Sequence, residues 1–360
     1  MNHKRKLSLV AAAALCLSLL GGCAPKEPVE SAAPSAPPSA APTVEAAPAA
    51  GADVSVGMLA GPTGLGAAKL MADNVAGTTA NSYTFQLAAA PTDLMPKLSN
   101  GDLDIAALPT NVASTLYHKT EGGVELLALN TRGVLYILEK GDTISTMADL
   151  KGKTIYAPSN AKGANPEYVL NYLLRQNGVD PAADVTVEWK TSEEIAAAMG
   201  SGEATVCMLP VPASTALLIQ DQDVREALDL SKVWEESAGD DAGALTMGCV
   251  VARTDFVKEH PEAVTAFLTE YSDSIRYMAD PANLDAAAAL AEQYSIVPKA
   301  AVAKKALPSA HLCFVTGEDM MADIQGYYQI LFAADPASIG GSIPDGAFYY
   351  TDGSFESFDS

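Results

Sequence analysis

An internal repeat constrains this fold more than any other feature, because the chain matches itself at an offset of 101 residues. The segment GDLDIAALP, which begins at Gly101, aligns with GEATVCMLP, which begins at Gly202. Glycine, an acidic residue, an apolar run and Leu-Pro recur in the same order, and such self-similarity indicates repeated structural units. This shift brings together two further pairs of segments: 53–59 with 154–160, and 83–89 with 185–190.

Each copy alternates strands with helices. The order is strand, turn rich in Gly, Ser or Asn, helix, strand, helix, strand, and then Leu-Pro at the start of another helix. This alternation is typical of parallel α/β sheets, whose ligands bind beyond the carboxyl ends of the strands. Extended apolar runs at 130–140 and 243–256 are expected to pass between the two units, out and back. We therefore predict an α/β protein of two lobes, with a ligand cleft between them and two crossover strands.

The N-terminus has the pattern of an export signal. A basic stretch at 4–6 precedes an apolar run at 7–20 that is short for a membrane span. The sequence LGGC at 20–23 resembles the lipobox of bacterial lipoproteins. That resemblance implies cleavage before Cys23 and a diacylglycerol on its thiol. An ordinary signal peptide with an incidental cysteine is the alternative.

A tether is predicted after the signal. Residues 24–50 are rich in Ala, Pro and Ser and contain almost no large apolar side chains, so they cannot offset the chain entropy of folding. About 310 residues follow, which is more than one hydrophobic core usually serves. The predicted organisation is a signal peptide at 1–22, a lipidated cysteine and tether at 23–50, lobe 1 at 51–134 and 248–360, and lobe 2 at 135–247.

Charge and cysteine usage exclude several classes of function. The net charge is −22, and loss of the three basic residues of the signal would bring it to −25, so binding to nucleic acid is not expected. Outside the signal, Cys207, Cys249 and Cys313 are odd in number and lie in apolar runs, which predicts buried, unpaired thiols. The four histidines are scattered, and the cysteines lack metal-type spacing. We predict no catalytic centre, no metal site and no cofactor.

A glycine-rich turn, GPTGLGAAK at 61–69, follows the first predicted strand. It lacks the Lys-Ser/Thr pair of a Walker loop after its last glycine, and Lys69 stands where a dinucleotide loop needs its third glycine. We expect it instead to form one wall of the cleft, where free N–H groups and a helix N-terminus suit a carboxylate, sulfonate, phosphate or polar ring edge. A tight turn that only packs helix on strand is the alternative.

Four segments together resemble the substrate-binding lipoproteins of ABC importers, in the branch for nitrate, sulfonates, taurine and thiamine precursors. They are GPTGLGAAKLM, GDLDIAALPTNVAST, LKGKTIYAPSNAKGANPEYVLNYLLRQNGVDP and VVARTDFVKEHPEAVTAFL. The resemblance extends over nearly everything from Asp53 onward. It implies the two-lobed type II periplasmic-binding-protein fold and delivery of a small ligand to a permease. It does not specify the ligand.

The residues at the predicted corners of the cleft are the candidate ligand contacts. Most are polar, but the corner of the second copy after Pro210 is apolar where the first copy has Thr-Asn, which suits a partly organic ligand. Arg132 and Lys162 are the cations predicted near these corners, and an inorganic anion would recruit several donors or an arginine fork. Simple capping and strand-end polarity are the alternatives for several positions. The candidates are Thr63, Gly64, Leu65, Thr110, Asn111, Asn130, Thr131, Ser159, Asn160, Lys162, Val211 and Pro212.

These observations predict a non-enzymatic receptor on the extracytoplasmic face of the cell membrane. It would capture a small organic molecule, whether anionic or heteroaromatic, and deliver it to an ABC permease with its ATPase, as a monomer anchored to the membrane by lipid. An exported sensor or adhesin on the same fold is one alternative. Enzymes of the related pyrimidine-precursor and menaquinone families are another, although both act in the cytosol.

Overall fold

The computed structural model describes residues 51–239, 242–353 and 355–359. The predicted signal peptide, the lipidated Cys23 and the tether up to residue 50 lie outside these residues. Within the described residues, none of the helices combines the length and apolarity that crossing a bilayer requires.

The strands of the described residues form two sheets. The first has the order β12-β11-β4-β10-β3-β1-β2, and the second has the order β7-β6-β8-β5-β9. The strands are β1 (Asp53–Leu59), β2 (Ser82–Ala88), β3 (Ile105–Pro109), β4 (Val124–Arg132), β5 (Leu135–Lys140), β6 (Thr154–Pro158), β7 (Thr186–Lys190), β8 (Val206–Pro210), β9 (Val224–Asp229), β10 (Thr246–Arg253), β11 (Leu312–Val315) and β12 (Phe358–Asp359).

Helices make up most of the chain between the strands and most of the region after β10. They are α1 (Pro62–Leu65), α2 (Ala68–Ala76), α3 (Pro91–Asn100), α4 (Thr110–Lys119), α5 (Asn165–Gln176), α6 (Ser192–Ser201), α7 (Ala213–Gln220), α8 (Leu230–Ser237), α9 (Thr254–Glu259), α10 (Pro261–Ala279), α11 (Leu284–Gln293), α12 (Ala300–Ala306) and α13 (Gly317–Ala334).

The internal repeat is confirmed by the strand order. The run β2-β1-β3-β10-β4 in the first sheet has the same order as β7-β6-β8-β5-β9 in the second. In each sheet the fourth strand of the run is antiparallel to its neighbours: β10 pairs with β3 and β4, and β5 pairs with β8 and β9. Gly248 lies opposite Pro109 and Leu135 lies opposite Pro210, so both Leu-Pro corners face the strand that enters from the other half. The predicted two-lobed α/β class is therefore correct.

The crossovers differ in detail from the prediction. The run at 130–140 is not one strand, because it breaks at Gly133 and Val134 between β4 of the first sheet and β5 of the second. An added Cβ at Gly133 would lie 2.3 Å from Oγ of Ser231 and 2.8 Å from Cδ2 of Leu245, so both of these side chains would have to move to admit a side chain at this break. The return strand β10 belongs wholly to the first sheet and begins at Thr246, two residues before the predicted boundary between the lobes.

The C-terminal segment 336–350 contributes buried side chains to the core. Phe348 and Ile339 are fully buried, and the N–H of Tyr350 donates to the carbonyl oxygen of Leu126 in β4 at 3.0 Å. The hydroxyl of Ser114 in α4 donates to the carbonyl of Ile339 at 2.6 Å. The Gly- and Pro-rich composition of 336–350 predicts a segment that wraps the surface, but this prediction is wrong, because its aromatic and aliphatic side chains complete the core beside α4.

Candidate functional site

A hydrogen bond joins the two halves of the fold. Thr110 begins α4 after β3 of the first sheet, and Asn165 begins α5, the first α-helix after β6 of the second. Nδ2 of Asn165 donates to Oγ1 of Thr110 at 2.9 Å and to the carbonyl oxygen of Met247 in β10 at 3.2 Å. The Thr110 hydroxyl donates to the carbonyl of Thr246 at 2.9 Å. Thr110 and Asn165 are 0% and 1% exposed, so the contact lies in the interior of the molecule.

Several buried polar atoms around Thr110 have no hydrogen-bond partner among the described residues. They are Oδ1 of Asn111, Oδ1 of Asn165 and Oγ1 of Thr246, and the buried hydroxyl of Tyr327 lies beside them against the Thr110 side chain. Leaving a buried polar group unpaired costs about 1–3 kcal/mol. Native structures rarely tolerate several such groups without a ligand, ion or ordered water to satisfy them. We call these residues and Thr110 the Thr110 cluster, and it is the candidate ligand site.

The Thr110 cluster carries no formal charge. Amides and hydroxyls supply all of its polar atoms, and burial raises the pKa of the Tyr327 hydroxyl, which therefore stays protonated. Arg132, one of the two cations predicted near the corners, is engaged elsewhere, because its guanidinium pairs with Asp323 and Asp359 at 2.7 Å each. The site is thus suited to a neutral polar group.

Asn130 and Thr131, predicted as ligand contacts, satisfy each other and hold the first turn. The Thr131 hydroxyl donates to Oδ1 of Asn130 at 3.0 Å. Nδ2 of Asn130 donates to the carbonyl of Thr63 at 3.2 Å and to the hydroxyl of Tyr271 at 2.9 Å. Both residues are buried, so their observed role is to fix α1 against β4 and α10.

The glycine-rich turn is more closely packed than an open anion cradle. The N–H of Gly61 donates to the carbonyl of Ile296 at 3.0 Å, and the N–H of Gly64 donates to the carbonyl of Gly61 at 3.2 Å. The helix that follows, α1, has only four residues. The expectation that this turn offers free N–H groups is therefore wrong for Gly61 and Gly64. Leu65 is buried, and the Thr63 side chain is half-buried.

In the second half, the predicted polar corner is exposed. Ser159 and Asn160 lie in a short 3-10 turn after β6, with Lys162 just beyond it, and all three are exposed. The buried position is taken by Asn165, which the sequence analysis did not identify. Its signal was an Asn-Pro pair at a helix start, since proline is favoured in the first turn and the residue before it is restricted.

The apolar corner lies beside a cavity between the halves. Val211 is 1% exposed, and its N–H donates to the carbonyl of Val134 at 3.1 Å. The cavity has a volume of about 330 Å³, and its walls include Val211, Tyr136 and Ser309. Pro212 follows Val211 as the residue before α7 and is half-buried. The apolar character predicted for this corner is thus present at a buried position.

The buried thiols are confirmed, since Cys207, Cys249 and Cys313 are all free and buried. Burial raises the pKa of the Cys207 thiol to about 12, and it also raises the pKa of the other two. Within the described part of the chain, no group of three or more His, Cys, Asp or Glu side chains is placed to hold a metal ion.

The fold and the interlobe position of the site define a class, the type II periplasmic-binding-protein fold. A family model described as NMT1/THI5 like matches residues 85–283, which is more than half of the chain. The chain belongs to the NMT1/THI5-like family. Comparison with curated protein sequences found no match.

Solved structures with the same fold come from transport systems. An ABC transporter protein from Parabacteroides distasonis is 18% identical with a TM-score of 0.67, covering 83% of this chain and 99% of that one. The periplasmic aliphatic sulphonate binding protein SsuA from Escherichia coli is 16% identical with a TM-score of 0.65, and the coverages are 84% and 94%. The alkanesulfonate-binding protein SsuA from Xanthomonas axonopodis pv. citri, bound to MOPS, is 16% identical with a TM-score of 0.59, and the coverages are 81% and 94%. At these identities the likeness establishes the fold, and these neighbours are transport-binding proteins.

Proposed function

We propose that this protein is an extracytoplasmic solute-binding lipoprotein that captures a small organic molecule and delivers it to an ABC import permease with its ATPase. The observation that carries the proposal is the contact between Asn165 and Thr110 from opposite halves, surrounded by unpaired buried polar atoms. A receptor of this kind closes over its ligand, and the ligand stabilises the closed state by its higher affinity for that state. The transport-binding proteins of the same fold support this role.

The predicted contact residues fall into separate roles in this proposal. Thr110 and Asn111 contact the ligand directly, together with Asn165. Thr63, Gly64, Leu65, Asn130 and Thr131 form and hold the wall of lobe 1. Ser159, Asn160 and Lys162 line the mouth, and Val211 with Pro212 forms the apolar wall of lobe 2.

The anchoring part of the proposal depends on the LGGC motif at 20–23. A lipid on Cys23 followed by a tether would hold the binding protein, as a monomer, close to its permease. Metabolic labelling with a palmitate analogue should mark the wild-type protein, and Cys23→Ala should lose the label. Equal labelling of wild type and Cys23→Ala would exclude the lipoprotein.

Ligand capture is tested by thermal-shift screening of the purified protein against sulfonates, carboxylates, pyrimidines, flavins and thiamine precursors. A compound at a hundred times its dissociation constant should add about 2.7 kcal/mol to the free energy of unfolding. Thr110→Ala and Asn165→Ala should each reduce the shift. Thr269→Ala and Asn100→Ala are matched controls, because both residues are exposed on helices away from the Thr110 cluster.

Three results would contradict the proposal. A ligand whose shift is unchanged in Thr110→Ala and Asn165→Ala would place the binding site elsewhere. Consumption of the compound, rather than simple binding, would identify an enzyme. Failure of the liganded protein to stimulate any permease encoded beside it would favour a sensor or adhesin on the same fold.

A further inference from the structure

The cavity of about 330 Å³ beside the apolar corner is a site of its own. Its walls include Tyr136 of β5 and the start of α7, together with Lys305 of α12 and Ser309 just after that helix. The hydroxyl of Tyr136 donates to the carbonyl of Ser309 at 3.4 Å, so the two sides meet at its edge. Val211 also lines this space, which we call the α7 cavity, whereas none of its described lining residues belongs to the Thr110 cluster. Its volume is in the range of sites for small organic molecules.

The start of α7 supplies hydrogen-bond donors to the α7 cavity. Ser214 and Thr215 lie in the first turn of this eight-residue helix, and both line the cavity. The N–H of Ala216 donates to the carbonyl of Pro212 at 2.9 Å, while the N–H groups of Ser214 and Thr215 have no backbone acceptor among the described residues. The partial positive charge of a helix N-terminus favours an anionic group at this position.

Ser214 is a second, independent indication of a ligand. The residue is only 2% exposed, yet its hydroxyl has no hydrogen-bond partner within the part of the chain that the structure describes. A hydroxyl can donate and accept, and leaving it unpaired in the interior is destabilising. Because Ser214 lines the α7 cavity, an oxygen atom of a ligand in the cavity would satisfy it.

Charges of opposite sign line the α7 cavity without pairing. Lys304 pairs with Asp285, whereas the next residue, Lys305, is exposed and has no ion pair among the described residues. Glu226 of β9 also lines the cavity, and the described residues give its carboxylate neither an ion pair nor a hydrogen bond. Burial and the nearby Asp229 raise the pKa of Glu226, so a cation beside this carboxylate would be stabilising.

The rest of the wall is apolar. Leu218 and Ile219 follow along α7, and Tyr136 is 4% exposed. Ile219 is 36% exposed, which is high for a large apolar side chain, and an apolar group of a ligand would remove part of that surface from water.

We infer that the α7 cavity is a second ligand site, which binds a small zwitterion with an apolar side chain, such as a free amino acid. The carboxylate lies at the start of α7 near Lys305, the ammonium group lies at Glu226, and the side chain packs on Ile219. A simple anion would leave Glu226 unpaired, and a simple cation would face the helix N-terminus. The inference goes beyond the proposed function and does not depend on it, because the site shares no residue with the Thr110 cluster.

The test compares amino acids with their single-charge analogues on unmodified, dialysed protein. Leucine is compared with 4-methylpentanoate and 3-methylbutylamine, and phenylalanine with 3-phenylpropanoate and 2-phenylethylamine. Calorimetry should find at least one of the two amino acids bound about tenfold or more tightly than both of its analogues, since each analogue lacks one charge-assisted contact. Absence of binding by both amino acids would overturn the inference, and so would an analogue that binds as tightly as its amino acid.

Three variants connect the preference to the α7 cavity. Glu226→Gln should weaken binding of the amino acid about tenfold without weakening binding of the carboxylate analogue, because it removes only the partner of the ammonium group. Ser214→Ala and Lys305→Met should weaken binding of both compounds, and Lys305→Met does so from an exposed position that leaves the interior intact. The exposed controls Glu193→Gln and Thr269→Ala should bind like wild type. Amino-acid binding that is unchanged in all three variants would lie elsewhere on the protein and would overturn the inference.

Discussion

Thr110 and Asn165 are 55 residues apart in the chain and begin helices that follow strands of different sheets, yet Oγ1 of one lies 2.9 Å from Nδ2 of the other. The bond is fully buried, and each partner has a second hydrogen bond to the backbone of β10. Thr110 donates to the carbonyl oxygen of Thr246, and Asn165 donates to the carbonyl oxygen of Met247. This arrangement makes the start of β10 the shared support of both halves at the candidate site.

Thr110→Val should destabilise the protein although it preserves the shape of the side chain. It removes a hydroxyl and leaves the amide of Asn165 and the carbonyl of Thr246 without that partner in the interior, at a cost of about 1–3 kcal/mol. Urea unfolding measures the change. Thr269→Val, on the exposed face of α10, is the control and should stay within about 0.5 kcal/mol of wild type. Equal unfolding free energies for Thr110→Val and wild type would show that the buried bond contributes nothing.

Gly64→Ala should destabilise the glycine-rich turn, because an added Cβ would lie 2.0 Å from the backbone oxygen of Leu59. The backbone must shift to relieve this clash, and overpacking of this kind costs about 1–3 kcal/mol or more. Gly200→Ala is the matched control, since Gly200 is an exposed residue of α6 with open space around it. Alanine there should raise stability by up to about 1 kcal/mol. A stability gain in both variants would contradict the packing described for Gly64.

Glu139 should make the stability of the second half depend on pH. Burial raises the pKa of this carboxyl, but hydrogen bonds from Thr143, from the N–H of Ile144 and from Arg225 outweigh that effect, and the pKa falls below its ordinary 4.5. A lowered folded-state pKa contributes stability above the unfolded-state value and loses it as the pH falls through the folded-state value.

The variant Glu139→Gln measures this contribution. It should be less stable than wild type by about 1–3 kcal/mol at neutral pH, because it weakens the bond to Arg225. The difference should stay constant down to about pH 4.5 and narrow below it, as followed by thermal unfolding at a series of pH values. Glu193→Gln, at an exposed position of α6, should show no comparable difference. If the difference in stability between wild type and Glu139→Gln grows as the pH falls, the pKa of Glu139 is not lowered in the folded protein.

The three buried thiols should resist modification in the native protein. Burial keeps Cys207 protonated at neutral pH, with a pKa of about 12, and Cys249 and Cys313 are likewise fully buried. Iodoacetamide labelling followed by peptide mass spectrometry should find these positions unmodified in native protein and fully modified in guanidinium chloride. Rapid native labelling of Cys207 would show that its surroundings open readily.

The sequence alone was sufficient to predict the architecture. Alternating and helical spacing of apolar residues indicates strands and helices locally. The repeat at an offset of 101 residues indicates that the second half has the same order of strands and helices as the first. The Leu-Pro corners at Pro109 and Pro210 were correctly paired for the same reason. The break at Gly133 and Val134 was not predicted. Two consecutive strands in one extended apolar segment have the same local pattern whether they belong to one sheet or to two sheets.

The candidate site was decided by the tertiary structure. Ser159 and Asn165 both follow β6, and their local sequence does not specify which of them is buried against Thr110. Likewise, the carbonyl oxygen of Ser338, 227 residues further along the chain, accepts a hydrogen bond from the amide nitrogen of Asn111. This contact fixes the orientation of the amide and therefore decides where its oxygen points. A hydrogen-bonding group is satisfied or unsatisfied according to what the whole fold brings within about 3 Å of it, and sequence patterns report only the spacing of neighbours along the chain.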